Sequence, residues 1–148
     1  MLGKGLRLYK REKLRSVKAV DRLFSIRPPK GESVTDEWGE VGVALCYPLR
    51  MVYGTNPLRG GAPVQFLVSV PKKKLRHAVD RVAVRRRVRE AYRSCRGSVE
   101  HIDGNGTKVD VAFVYVAAEV EDYARILKSM TRLMQRLDCF CREKTDNC

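Results

Sequence analysis

From Lys72 to Arg93 the chain reads KKKLRHAVDRVAVRRRVREAYR, with Asp80 and Glu90 its only acids. Like charges three or four residues apart on a helix repel one another. Such a segment folds as helix only if its few apolar residues form a stripe that docks elsewhere. At roughly 100° per residue from Arg81, Val84, Val88, Ala91 and Cys95 fall together, with Tyr92 at their border. Arg85, Arg86, Arg89 and Arg93 fall within an arc of about 100° on the roughly opposite side. This pattern predicts a helix over about 78–96 with one face on a sheet and one face presenting guanidinium groups.

The remaining segments supply that sheet. Leu14, Val17, Val20 and Phe24 recur at helical spacing, and Ser16 is a capping candidate for a first helix ending near Ile26. Residues 1–12 read as a basic arm. Residues 27–42 hold Pro, Gly and acids and read as a surface loop, Trp38 being the large apolar exception. Val43–Tyr53 and Val64–Val70 are β-like, with Pro48 suggesting an edge strand or bulge in the first. The turn-rich GTNPLRGGAP between them predicts an antiparallel hairpin. DGNG at 103–106 is a turn. KVDVAFVYVA, residues 108–117, is a further strand in which alternation would place Asp110 outward. Residues 119–142 place Val120, Tyr123, Ile126, Leu127, Met130, Leu133, Met134 and Leu137 on one face of a last helix. Helix, strands, helix, strand, helix in 148 residues predicts one α+β domain built as a two-layer α-β sandwich.

The formal charge is +13, which suits a polyanionic partner. An anionic membrane surface is the main competing partner, and a solvated basic face without a partner is the bland reading; the size of the excess and the scarcity of nearby acids favour the polyanion. Arginine suits phosphate because its planar fork donates two hydrogen bonds at once. No run of about 18 apolar residues predicts a membrane span. MLGKGLRLYKREKLRS lacks a signal-peptide apolar core, which points to the cytoplasm. Cys139 and Cys141 form a CxC without a second ligand pair at zinc spacing, so the cysteines read as ordinary thiols. His77 and His101 are the only histidines, and no HExxH, Ser-His-Asp or paired-carboxylate pattern accompanies them. No catalytic residue is expected in this chain.

FLVSVPKKKLRHAVDRVAVRRRVREAYR resembles the signature of the bacterial ribonuclease P protein component: a strand ending in VSxxK, a basic loop, then AVxRNRxKRxxRE on a helix. Val68–Val70, Lys72–Lys74, Ala78, Val79, Arg81, Arg85, Arg86, Arg89 and Glu90 occupy matching positions. YKREKLRSVKAVDRLFS resembles the family's first helix, and residues 27–42 look like an insertion. The resemblance implies an α+β sandwich with a left-handed βαβ crossover, against the usual right-handed rule. It implies an accessory subunit of a tRNA 5′-processing endonuclease, in which an RNA subunit with bound Mg²⁺ hydrolyses the phosphodiester joining precursor tRNA to its 5′ leader. The implied partners are that RNA and precursor tRNA; no membrane is expected, and a protein oligomer is not predicted. A general RNA-binding or ribosome-associated module is the alternative.

By the resemblance, Lys72, Lys73, Lys74, Arg76, Arg81, Arg85, Arg86, Arg89 and Arg93 would contact the catalytic RNA. The single-stranded leader would lie on Val20, Phe24, Tyr47, Arg50 and Val52, between the first helix and the sheet. Val20 and Phe24 read equally as core. Where the family has Arg-Asn-Arg, this chain has Arg81-Val82-Ala83. The wheel puts apolar Val82 inside the arginine arc, which implies weakened RNA contact without loss of helix.

Overall fold

The computed structural model describes residues 13–14, 16–25, 33–36, 38–56, 64–95 and 108–146. The expected arm at 1–12, the DGNG turn, His101 and Cys148 lie outside them, as do the side chains of 141–146. The elements are α1 (Val17–Ser25), β1 (Ser33–Asp36), β2 (Gly39–Cys46), β3 (Leu49–Thr55), β4 (Val64–Ser69), α2 (Ala78–Cys95), β5 (Val109–Tyr115) and α3 (Tyr123–Asp146). The strands form one sheet in the order β1-β2-β3-β5-β4.

Local chemistry sets the helix ends. Ser16 Oγ accepts from the Ala19 amide at 3.3 Å and caps α1, as its position predicts. Asp122 caps α3 by accepting from the Arg125 amide at 2.9 Å.

Strand alternation then sorts side chains onto two faces. Leu49, Met51, Tyr53, Val109, Val111, Phe113 and Tyr115 point to a core roofed by α2 and α3. On α2, Val84, Val88 and Ala91 are 0% exposed, which matches the wheel. Each such side chain is worth up to roughly 1.5–3 kcal/mol on burial, Ala91 less. Tyr92 stacks on Phe66 with centroids 4.0 Å apart. α3 docks through Ile126, Met130, Leu133, Met134 and Leu137; of the rest of the predicted face, Tyr123 and Leu127 are half-buried, and Val120 precedes the helix and is exposed. The sheet and this helical layer make the α+β sandwich. Val41, Val52 and Ala112 point the other way, to a smaller core under α1 with Leu14, Ala19 and Leu23.

Four sequence expectations are corrected, that for Asp110 below. Residues 27–42 are not all loop: Ser33–Asp36 pairs antiparallel with β2, which begins at Gly39. Val43–Tyr53 is not one strand; Tyr47 and Pro48 form the turn between β2 and β3, which pair from Val41↔Gly54 to Cys46↔Leu49. The β3 and β4 segments are not a hairpin either. β5 lies between them, antiparallel to β3 and parallel to β4. Thus β4, α2 and β5 form a βαβ crossover, and the crossover helix carries the arginines.

The β1-β2 hairpin is fastened by Arg22 of α1. Its guanidinium donates to both Asp36 oxygens (2.7 and 2.9 Å) and to the carbonyls of Thr55 and Gly39. It also lies 5.4 Å from the Trp38 ring centroid. Gly39 has φ +121°, and a Cβ there would sit 2.0 Å from Thr55 Oγ1, so only glycine fits this turn. Asp110 does not point to solvent. It is 0% exposed and accepts from Asn56 Nδ2 at 2.7 Å.

Candidate nucleic-acid interface

The lead-in to α2 is a tight turn between two buried anchors. Val70 and Leu75 sit in the main core, each 4% exposed. The amides of Lys74 and Leu75 both donate to the Pro71 carbonyl. Lys72, Lys73 and Lys74 are held outward between the anchors and are exposed, as are Arg76 and His77. Arg81 reaches back and donates to the Leu75 and Arg76 carbonyls, both at 2.9 Å. It therefore braces the basic turn against the first turn of α2, a job that residue spacing did not reveal.

The arginines of α2 divide by use. Arg87 donates to the Glu121 carbonyl at 2.7 Å and ties α2 to the start of α3. Tyr115 assists by donating to the Glu119 carbonyl and accepting from the Glu121 amide. Burial pushes the Tyr115 phenol up, so it stays neutral and hydrogen-bonded. Arg93 pairs with Glu90, its Nε donating to Oε2 at 3.0 Å. That hydrogen bond holds the Glu90 carboxyl below its ordinary range.

Arg86 and Arg89 are exposed and Arg85 is half-buried; none has a hydrogen bond or ion pair among the described residues. Arg86 and Arg89 border a concavity of about 500 Å³ with Tyr123. Arg89 also lines a groove of about 200 Å³ with Lys13, Leu14, Phe66, Leu67 and Val68, along the β4 edge. Val82 is 48% exposed beside this surface, in line with the wheel.

The second expected set does not form one constellation. Val20 and Phe24 are half-buried and pack on the smaller core. Val52 is 0% exposed beneath α1. Tyr47 lies instead against Arg125 of α3, which packs on the opposite sheet face; the guanidinium is 5.0 Å from its ring centroid. Arg50 shares the α1 face with Val52 but is not part of the smaller core. Its cross-strand neighbours there are Leu45 and Val114, and Ser69 pairs with Val114. Leu45 is 54% exposed. Arg50 Nε is buried with no hydrogen-bond partner among the described residues. A row Leu45-Arg50-Val114-Ser69 thus crosses the α1 side of the sheet outside the smaller core, with Leu45 exposed and the other three half-buried. Sequence reasoning missed Leu45, Val114 and Ser69, because cross-strand neighbours are invisible until the strand order is known.

Among the described residues no helix is long and apolar enough to cross a membrane. The sequence profile of the family described as "Ribonuclease P" matches residues 46–138. Ribonuclease P protein components from two strains of Porphyromonas gingivalis, ATCC 33277 and W83, are each 32% identical over 107 residues. The match covers 72% of this chain and 78% of each of those proteins. The solved structure of Staphylococcus aureus RNase P protein superposes with a TM-score of 0.56 at 16% identity. It covers 85% of this chain and 94% of that one.

Proposed function

The chain belongs to the ribonuclease P protein family, and from that premise we propose that it binds the catalytic RNA of the ribonucleoprotein and the 5′ leader of precursor tRNA. The observation that carries this reading is the outer face of α2. Arg85, Arg86 and Arg89 find no partner within the described protein, while the same helix buries Val84, Val88 and Ala91 completely. Arg85 to Arg89 spans about 6 Å of helix axis, close to the spacing of adjacent phosphates. Lys72–Lys74 and Arg76 extend the charge along the lead-in turn. Each phosphate they neutralise would release condensed counterions.

The leader would cross the sheet along this row, beside α1. Leu45 and Val114 offer apolar surface to unstacked bases, Val20 and Phe24 flank them, and Arg50 gains a phosphate partner. Val52 supports α1 from below. Tyr47 stands outside this surface. Hydrolysis would rest with the RNA subunit and Mg²⁺ held by RNA and substrate. No group of three His, Cys, Asp or Glu converges among the described residues. The contribution of this chain is then electrostatic: it holds two anionic strands in register.

Reconstitution tests the reading. Protein alone should leave precursor tRNA intact, whereas protein with its RNA subunit should cleave it at lower Mg²⁺ than RNA alone. An equal Mg²⁺ requirement with and without protein would overturn the proposal. Equal affinity for tRNA with and without a leader would reduce it to a general RNA-binding module.

A further inference from the structure

α3 carries a second basic row. At roughly 100° per residue, Arg125, Lys128, Arg132 and Arg136 fall within an arc of about 80°. All four are exposed. Arg125 pairs with Glu121 at 3.2 Å. Lys128, Arg132 and Arg136 have no hydrogen bond or ion pair among the described residues. From Arg125 to Arg136 the row runs about 16 Å, long enough to follow two or three phosphates.

This row is separate from the α2 face. α3 touches α2 through Tyr123 and Thr131, which bond Ser94 and Cys95. The basic row lies on the other flank of α3, toward the β2-β3 turn. Ser129 Oγ donates to the Cys46 carbonyl there and fixes the helix to the end of β2. Between them lies a concavity of about 480 Å³, lined by Tyr47, Arg125, Lys128 and Arg132 among others. Tyr47 is 50% exposed although Arg125 covers part of its ring.

We propose that this concavity and the α3 row form a second RNA-binding surface, in which a base stacks on Tyr47 while Lys128, Arg132 and Arg136 hold the adjoining phosphates. An exposed aromatic ring beside a track of unpaired cations is the combination single-stranded nucleic acid requires. The surface lies at the β2 end of the helical layer, whereas α2 packs against β4. It therefore engages an RNA segment other than the one on α2. The inference rests on the RNA-binding reading of this chain and extends it to a surface not used there.

The test uses the full chain and a fluorescein-labelled oligouridine followed by anisotropy across a salt series. Three variants are compared with the parent: Arg85→Ala/Arg86→Ala/Arg89→Ala, Lys128→Ala/Arg132→Ala/Arg136→Ala, and all six changes together. The α2 variant should keep salt-dependent binding, and adding the α3 changes should weaken it about 10-fold and lower the salt slope by about two, at roughly 0.7 per phosphate. Tyr47→Ala in the α2 variant should cost about 10-fold, whereas Tyr47→Phe should cost little, since stacking needs only the ring. If the α2 variant binds more weakly than the parent and the six-fold variant binds like it, the α3 surface is refuted and the α2 reading survives. If the α3 changes weaken binding while the α2 changes do not, the α3 surface stands and the α2 reading falls. Parent-like binding by all three variants removes both.

Discussion

The α1-hairpin contact and the outer face of α2 both depend on arginine, and they use it in opposite ways. The Arg22 side chain is 7% exposed and its donors go to Asp36, Thr55 and Gly39, with Trp38 beside it. Arg86 and Arg89 are exposed and have no such partners among the described residues. A guanidinium taken from water costs free energy unless its donors are satisfied inside the protein. One left in water costs little, and it remains available to an anion that arrives later. The contrast shows that a high charge count does not locate a binding surface; the fate of each donor does. Within α2 the same rule separates Arg87 and Arg93, which are engaged by Glu121 and Glu90, from Arg85, Arg86 and Arg89.

The largest expected effect falls on the buried side of this comparison. Arg22→Ala should lower unfolding free energy by about 2–4 kcal/mol, since one partner of a mostly buried ion pair is removed. Urea denaturation measures it, and oligouridine affinity should stay within about two-fold, in the range of ordinary surface effects. A loss of affinity without a loss of stability would merge the two classes. Next is Arg85→Ala/Arg86→Ala/Arg89→Ala. Its affinity for the RNA subunit should fall at least ten-fold, with the slope of log K against log salt reduced by about two to three. Stability should change by less than about 0.5 kcal/mol per site.

A pH series sharpens the pairing itself. The Arg22 hydrogen bonds hold the Asp36 carboxyl below its ordinary value of 3.8. A depressed folded-state pKa gives stability that is full above 3.8 and is lost as pH falls through the lower folded value. Stability of the parent should therefore drop below about pH 4 more steeply than that of Asp36→Asn. Equal slopes would mean the pair is not formed in solution. The smallest effect is a gain. Val82→Asn with Ala83→Arg restores the family pattern, and should tighten RNA-subunit binding about three- to ten-fold while adding about one to the salt slope. No gain would place residue 82 outside the contact.

Much of the α2 surface was legible in the sequence because a helix is a local object. Spacing alone puts Val84, Val88 and Ala91 on one side and Arg85, Arg86 and Arg89 on another, and the structure buries the first group. Ser16 as a cap and the strand at 109–115 were legible for the same reason. The β1 segment SVTD has no apolar alternation, so nothing marked it as a strand; it is held by pairing with β2 and by Arg22. The β3-β4 hairpin was misread because turn residues say where the chain bends. They do not say which strand inserts between its arms.

The sequence by itself determined the family signature, the amphipathic helices and the direction in which the arginines of α2 point. Those follow from bond geometry repeated every few residues. The tertiary structure decided which cations are taken by the protein's own carbonyls and carboxylates. Arg81, Arg87 and Arg93 are taken while Arg85, Arg86 and Arg89 are left. It also parted Tyr47 from Val20, Phe24 and Arg50, and set it beside Arg125. The physical reason is that hydrogen-bond partners and sheet faces depend on contacts between distant residues, which spacing along the chain does not encode.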